Sequence, residues 1–170
     1  MARKTSRGEL LNQIEKTAHD YEKEFHGCSR CVFKALQDYL DLGDIVVLKA
    51  STPLAAGIAM RGETCGAMVA GLLAVGIITA NDDFKDPSAL TNSLAAGFRV
   101  AKRFEKEFGT TNCTEIQRDK LGRFYNLADP EEYEAFIKAN GYVECPKVVG
   151  KVARITAEFI FDYLDRKDSR

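Results

Sequence analysis

The residues best equipped for chemistry in this chain are its five cysteines, Cys28, Cys31, Cys65, Cys113 and Cys145. A thiolate is both a nucleophile and a soft metal ligand, so such a set points to redox, disulfide or metal chemistry. An odd number makes a poor structural disulfide framework. Cysteine is also a small hydrophobe that is often buried, which accounts for one or two of these without any function. The closely spaced Cys28-Ser29-Arg30-Cys31 pair fits few familiar sites. Haem attachment of the c type needs His after the second Cys, where Val32 stands, and a thioredoxin-type site needs a preceding strand. A zinc site favours a second closely spaced pair of ligands, which is missing. His26 sits at a predicted helix end, where a lone His serves more often as a cap or surface residue than as a ligand. No P-loop, dinucleotide fingerprint, nucleophile elbow or His-Glu-x-x-His motif occurs.

The elements that must hold these residues read as helices. Leu11, Ile14, Ala18, Tyr21 and Phe25 recur at three- and four-residue steps and predict a first helix. Residues 29–40 give a second, with Val32, Phe33, Leu36 and Leu40 inward. Residues 44–50 begin a third before Pro53, although Ile45-Val46-Val47-Leu48 is β-prone enough to be a strand. Residues 55–62 read as a loop or broken helix beside Cys65. Residues 65–79 are apolar all round, which predicts a central helix covered on every side. Pro87 opens a helix whose Leu90, Leu94, Phe98, Ala101, Phe104 and Phe108 line one inward face, and Gly109 stops it. Two short helices follow over residues 113–121 and 130–139, and the last begins at Pro146. The expected fold is all-α, a multi-helix bundle around a small-residue-rich apolar helix. Residues 1–170 form one domain, with 1–8 as a flexible tail.

On these helices the cysteines fall at caps. Cys31 follows Ser29, Cys65 follows Thr64, Cys113 follows Asn112, and Cys145 directly precedes Pro146. Helix N-termini present unpaired N–H groups and the positive end of the dipole, which stabilise a thiolate or an anionic cluster. Packing alone would place cysteines on mid-helix inner faces, which hold none. Cys28 precedes the Ser29 cap and is expected to be auxiliary.

Composition bounds the remaining possibilities. With 24 Lys plus Arg against 25 Asp plus Glu, a net charge of −1 and no basic stripe, the chain has no footprint for nucleic acid. A length of 170 residues suffices for a hydrophobic core without metal or disulfide staples. The longest apolar run, residues 65–80, is shorter than the about 20 residues a membrane-spanning helix requires. Residues 1–25 carry no apolar stretch of signal-peptide type, so a cytoplasmic location is expected.

Gly62-Glu63-Thr64-Cys65-Gly66-Ala67, followed by small residues and Leu72-Leu73-Ala74-Val75-Gly76-Ile77, resembles the signature of the C_GCAxxG_C_C family of redox-active proteins. Cys31 resembles the first family cysteine, Phe108-Gly109-Thr110-Thr111-Asn112-Cys113 the segment with the third, and Cys145 takes the fourth place. Two positions depart from the pattern: Ala70 stands where the family has its last glycine, and Cys28 is an extra thiol. The resemblance implies a small helical protein whose cysteines act together in redox or metal chemistry. The leading expectation is electron transfer through an iron–sulfur cluster or related metal centre on Cys31, Cys65, Cys113 and Cys145. A second is cluster-free exchange, with Cys65 as nucleophile and Cys31 resolving. A third is a structural zinc or interaction module. The expected partner is a redox protein or a small thiol or disulfide.

Overall fold

Ser6 starts the first helix by accepting the Glu9 N–H while the Glu9 carboxylate takes the Ser6 N–H, a reciprocal cap. The computed structural model describes residues 6–169. Residues 6–8, expected in a tail, therefore cap and begin α1 (Arg7–Phe25), while residues 1–5 of that tail lie outside the described residues. The chain continues through α2 (Cys28–Leu40), α3 (Ile45–Ser51), a short 3₁₀ turn (Thr52–Leu54), α4 (Gly66–Thr79), α5 (Pro87–Phe108), α6 (Cys113–Leu121), α7 (Pro130–Lys138) and α8 (Gly141–Asp168). The fold is all-α: among the described residues there are eight α-helices and no strand, only an isolated antiparallel bridge between Thr64 and Asn112. No helix among them is long and apolar enough to cross a membrane.

α8 packs on α1, α2, α4 and α5, and α2 lies between α1 and α4. The core between them is built from Ile14, Val32, Phe33, Leu36, Ala70, Ala74, Val149, Val152 and Ile160, all fully or almost fully buried. A smaller cluster of Val75, Ala96, Val100 and Phe159 seats α5 on α4 and α8. Arg7 pairs with Asp162 and Asp165, and Arg154 with Glu15, so ion pairs tie α1 to α8 at the surface.

Several local expectations are corrected. Residues 45–51 form the third helix expected there, and the strand that Ile45-Val46-Val47-Leu48 could have made is the reading that falls, because Asp44 caps α3 by accepting the Val46 and Val47 N–H groups. α2 begins at Cys28, one residue before the expected cap. Gly27 makes the turn at φ +91°, a conformation open to glycine, and the Ser29 hydroxyl donates instead to the Ser51 carbonyl. α8 begins at Gly141, well before Pro146, because Asn140 in the left-handed region turns the chain directly out of α7. Pro146 is then accommodated in the second turn at the loss of one backbone hydrogen bond. The buried row of α1 ends on Glu22, while Phe25 is exposed. On α5 only Phe104 of the expected face is buried, with Ala101 and Phe108 half-buried, and Leu90, Leu94 and Phe98 face outward. α4 is not covered on every side, since Ile77 is exposed and Val69, Leu72 and Leu73 are only half-buried.

Candidate functional site

The bridge between Thr64 and Asn112 brings together the starts of α4 and α6. The Cys65 N–H donates to the Thr111 carbonyl at 2.8 Å, the Cys113 N–H to the Glu63 carbonyl at 2.6 Å and the Thr114 N–H to the Gly62 carbonyl at 3.0 Å. Cys65 is the N-cap of α4 and Cys113 the first residue of α6, so two helix starts meet at this bridge. Cys28, first residue of α2, reaches the same place. A Cβ placed on Gly66 would lie 2.9 Å from the Cys28 sulfur and 2.4 Å from the Leu54 carbonyl oxygen, so only glycine allows this approach. Cys145, one turn into α8, completes the group. Cys28, Cys65, Cys113 and Cys145 all line one cavity of about 180 Å³. That is slightly more than the about 150 Å³ of an apolar cavity able to hold benzene.

Cys31 is not among the lining residues. It sits in the fourth position of α2, buried, with its thiol donating to the His26 carbonyl at 3.3 Å, and it borders a separate surface cleft beside Tyr21, Phe25 and Arg30. Three of the four sequence-proposed cysteines thus share a cavity, and Cys28 occupies the place expected for Cys31. The reason is the start of α2: beginning the helix at Cys28 turns that side chain toward α4 and leaves Cys31 nearly a full turn later.

One wall of the cavity comes from the segment before α4, where Ala55, Ala56 and Met60 line it. Ala56 to Met60 form a left-handed turn, with φ of +55°, +71°, +62°, +51° and +63° in sequence. Such a conformation costs a non-glycine residue about 1–2 kcal/mol. It is held by backbone bonds from Ala59 to Pro53, Gly62 to Ala56 and Glu63 to Gly57. Strain of this kind persists where the surroundings over-determine it, commonly beside a ligand site. The opposite wall carries aromatics: Tyr142 stacks on His26 with ring centroids 3.7 Å apart and shares a hydrogen bond with Tyr133. His26 itself is the C-cap of α1.

Two polar side chains that sequence reasoning passed over also line the cavity. Glu22 is 4% exposed, and its Oε2 has no hydrogen-bond partner among the described residues. Burial pushes its carboxyl up to about 7, with the Cys31 thiol, the Arg30 charge and the Gly27 N–H pulling the other way. Gln117 is fixed by accepting the Tyr125 N–H at 2.9 Å, which turns its amide group toward the Cys113 sulfur at 3.7 Å. Both were legible as i+4 neighbours, Glu22 of the buried Ala18 and Gln117 of Cys113.

The electrostatics reverse the expectation from helix dipoles. Burial is the main cause raising all four cavity thiols: Cys65 is pushed up to about 12, Cys28 and Cys145 well above the ordinary thiol value, and Cys113 upward. Charge on neighbouring cysteines adds to the rise at Cys28, Cys65 and Cys145. The N–H groups of Ala67 and Met68 pull Cys65 down, as a helix N-terminus should, but desolvation outweighs them. Cys31 is likewise raised, by burial and then by Glu22. These thiols are therefore neutral unless positive charge enters the cavity with them.

As ligands, the four sulfurs fit some centres better than others. Zinc binds thiolate at about 2.3 Å, so its ligands must converge within about twice that distance of one another. Among the described residues no three His, Cys, Asp or Glu side chains are gathered tightly enough to hold a metal ion. Four thiols spread around a cavity, with an unpartnered carboxylate at its edge, suit a polynuclear group that carries its own bridging atoms and positive charge.

An all-α protein with cysteines from four helices lining one cavity falls in the class of cysteine-based redox-active helical proteins. The family comparison agrees: residues 26–159 match the C_GCAxxG_C_C family, described as "Putative redox-active protein (C_GCAxxG_C_C)", and the chain belongs to that family. No curated protein and no solved structure matches it.

Proposed function

We propose that this protein carries electrons through an iron–sulfur cluster held by Cys28, Cys65, Cys113 and Cys145. The observation that supports this most is the cavity itself: four thiols from distant parts of the chain, kept neutral by burial and by one another, need a positively charged group to ionise them together. A cluster supplies that charge and a reversible one-electron change. Around it the protein would supply a dry shell, the Gln117 amide as a hydrogen-bond donor to the Cys113 sulfur, and Glu22 as a buried acidic neighbour. Hydrogen bonds to the sulfurs, net charge and solvent access are the means by which a protein sets the potential of such a group.

Cluster-free exchange is less well supported, because a Cys65 thiol pushed up to about 12 is a weak nucleophile near neutral pH and Cys31 does not line the same cavity. The test is purification without oxygen, or reconstitution with iron and sulfide, followed by absorption spectroscopy and iron and sulfide analysis. A broad brown absorption with matched iron and sulfide is expected. It should be lost in Cys28→Ser and Cys65→Ser and retained in Cys31→Ser. A colourless protein with all thiols titratable after reconstitution refutes the cluster. Loss of colour in Cys31→Ser with retention in Cys28→Ser refutes the ligand assignment alone.

A further inference from the structure

A second concave site lies over α2 between α1 and α3, a cleft of about 530 Å³ that shares no lining residue with the cysteine cavity. Its walls follow from helical spacing. Tyr21 and Phe25 stand four residues apart on α1, Arg30 and Lys34 four apart on α2, and Ile45 and Lys49 four apart on α3, so each helix offers one ridge to the cleft. The Ser29 hydroxyl, bonded to the Ser51 carbonyl, holds the end of α3 against the start of α2. The buried Cys31 and the half-buried Leu48 form the floor. Phe25 and Ile45 are 51% and 57% exposed, and both line the cleft. A single exposed hydrophobe is ordinary. Two large ones gathered with a tyrosine ring in a concavity within the range of about 300–1,000 Å³ have the form of a small-molecule site.

The charge of the lining identifies the occupant. Arg30, Lys34 and Lys49 line the cleft and no carboxylate does, in a chain whose net charge is −1. Lys34 is tied to Asp38, whereas Arg30 and Lys49 have no ion-pair partner among the described residues. The Arg30 stem lies along the start of α2, its Cγ and Cδ 3.1 Å from where a Cβ on Gly27 would stand, so glycine there leaves the arginine its room. We propose that this cleft binds a small organic anion with a flat apolar body and one acidic group, a carboxylate, sulfonate or phosphate. The body lies against Phe25, Ile45 and Leu48, and the acidic group takes charge-assisted hydrogen bonds from Arg30 and Lys49. The apolar walls alone would take a neutral molecule; the unpaired cations are what select the acidic group. An acidic segment of another protein is the poorer occupant, because a concavity floored by Cys31 and walled by three helices encloses one small molecule rather than matching a broad protein surface. The inference uses none of the cavity-lining cysteines and stands or falls separately from the cluster.

Fluorescence titration of the full chain with anilinonaphthalene sulfonate, an aromatic anion, tests it, and the chain has no Trp to interfere. Saturable binding of one dye per chain with a Kd of about 10–100 μM is expected, and the neutral analogue phenylnaphthylamine should bind at least about 10-fold more weakly. Lys49→Glu, at an exposed position, should weaken the anion at least about 10-fold while leaving the neutral analogue and the helical circular dichroism unchanged. Ile45→Gln should weaken both dyes. Leu94→Gln, on the exposed apolar face of α5, should change neither. No saturable binding up to about 1 mM, equal affinity for the two dyes, or an anion affinity untouched by Lys49→Glu overturns the anion site. Loss of binding in Leu94→Gln places the dye on α5 and overturns it too. If a peptide rich in Asp and Phe binds in a manner sensitive to Lys49→Glu while the dye does not bind, the cleft belongs to a protein partner and the small-molecule assignment falls.

Discussion

Replacing Glu22 by Gln gives the sharpest test of how the cavity is charged. The carboxyl is 4% exposed, its Oε2 is unpartnered, and burial moves its folded-state value from 4.5 to about 7. A shift of that size corresponds to about 3 kcal/mol of linkage between protonation and folding. Because the folded value is raised, the folded state holds the proton more tightly than the unfolded chain. The contribution to stability is then fully present below about 4.5 and is lost as pH rises to about 7. In the metal-free protein, urea denaturation at pH 5 and pH 8 should show wild type losing most of this increment, whereas Glu22→Gln should lose little. The Gln amide leaves its own buried polar atoms, at a cost of about 1–3 kcal/mol, but that cost does not depend on pH. The comparison is therefore between slopes rather than absolute stabilities. Thiols that begin to ionise in the unfolded chain at the upper pH are common to both proteins and largely cancel. Equal pH dependence in the two proteins would refute the claim that Glu22 is held unpaired in a dry cavity.

Two glycine substitutions test the close approaches around α4. Gly66→Ala puts a Cβ against the Leu54 carbonyl and the Cys28 sulfur, so it should cost about 2–3 kcal/mol, lower the Tm by about 5–10 °C and impair iron uptake; an unchanged Tm in a melting experiment contradicts the packing described. Gly71→Ala puts a Cβ 2.6 Å from the buried, unpartnered Thr156 hydroxyl, so it should destabilise strongly alone and much less in a Thr156→Ala background, and additivity in denaturant titrations would show that the clash lies elsewhere.

What the sequence carried by itself was local. Helix-forming periodicity, the Asn112 and Asp129 caps, Pro87 and the terminating Gly109 and Gly122 specify most helices because each signal acts within a turn of its own residue. The all-α fold and the family resemblance follow from that local information and from the Cys65 segment, and the placement of Cys65 and Cys113 at helix starts is local as well. Tertiary structure decided the rest. Whether Cys28 or Cys31 enters the cavity depends on where α2 begins, and that depends on Gly27 turning at positive φ and on Ser29 reaching the distant Ser51 carbonyl rather than capping. The inward position of Glu22, the outward turn of Leu90, Leu94 and Phe98, and the dominance of desolvation over the helix dipole at Cys65 are likewise set by neighbours remote in sequence. A helical period says which residues share a face. Only the packing of other helices decides which face is covered, and the dryness that results governs the charge of every thiol in the cavity.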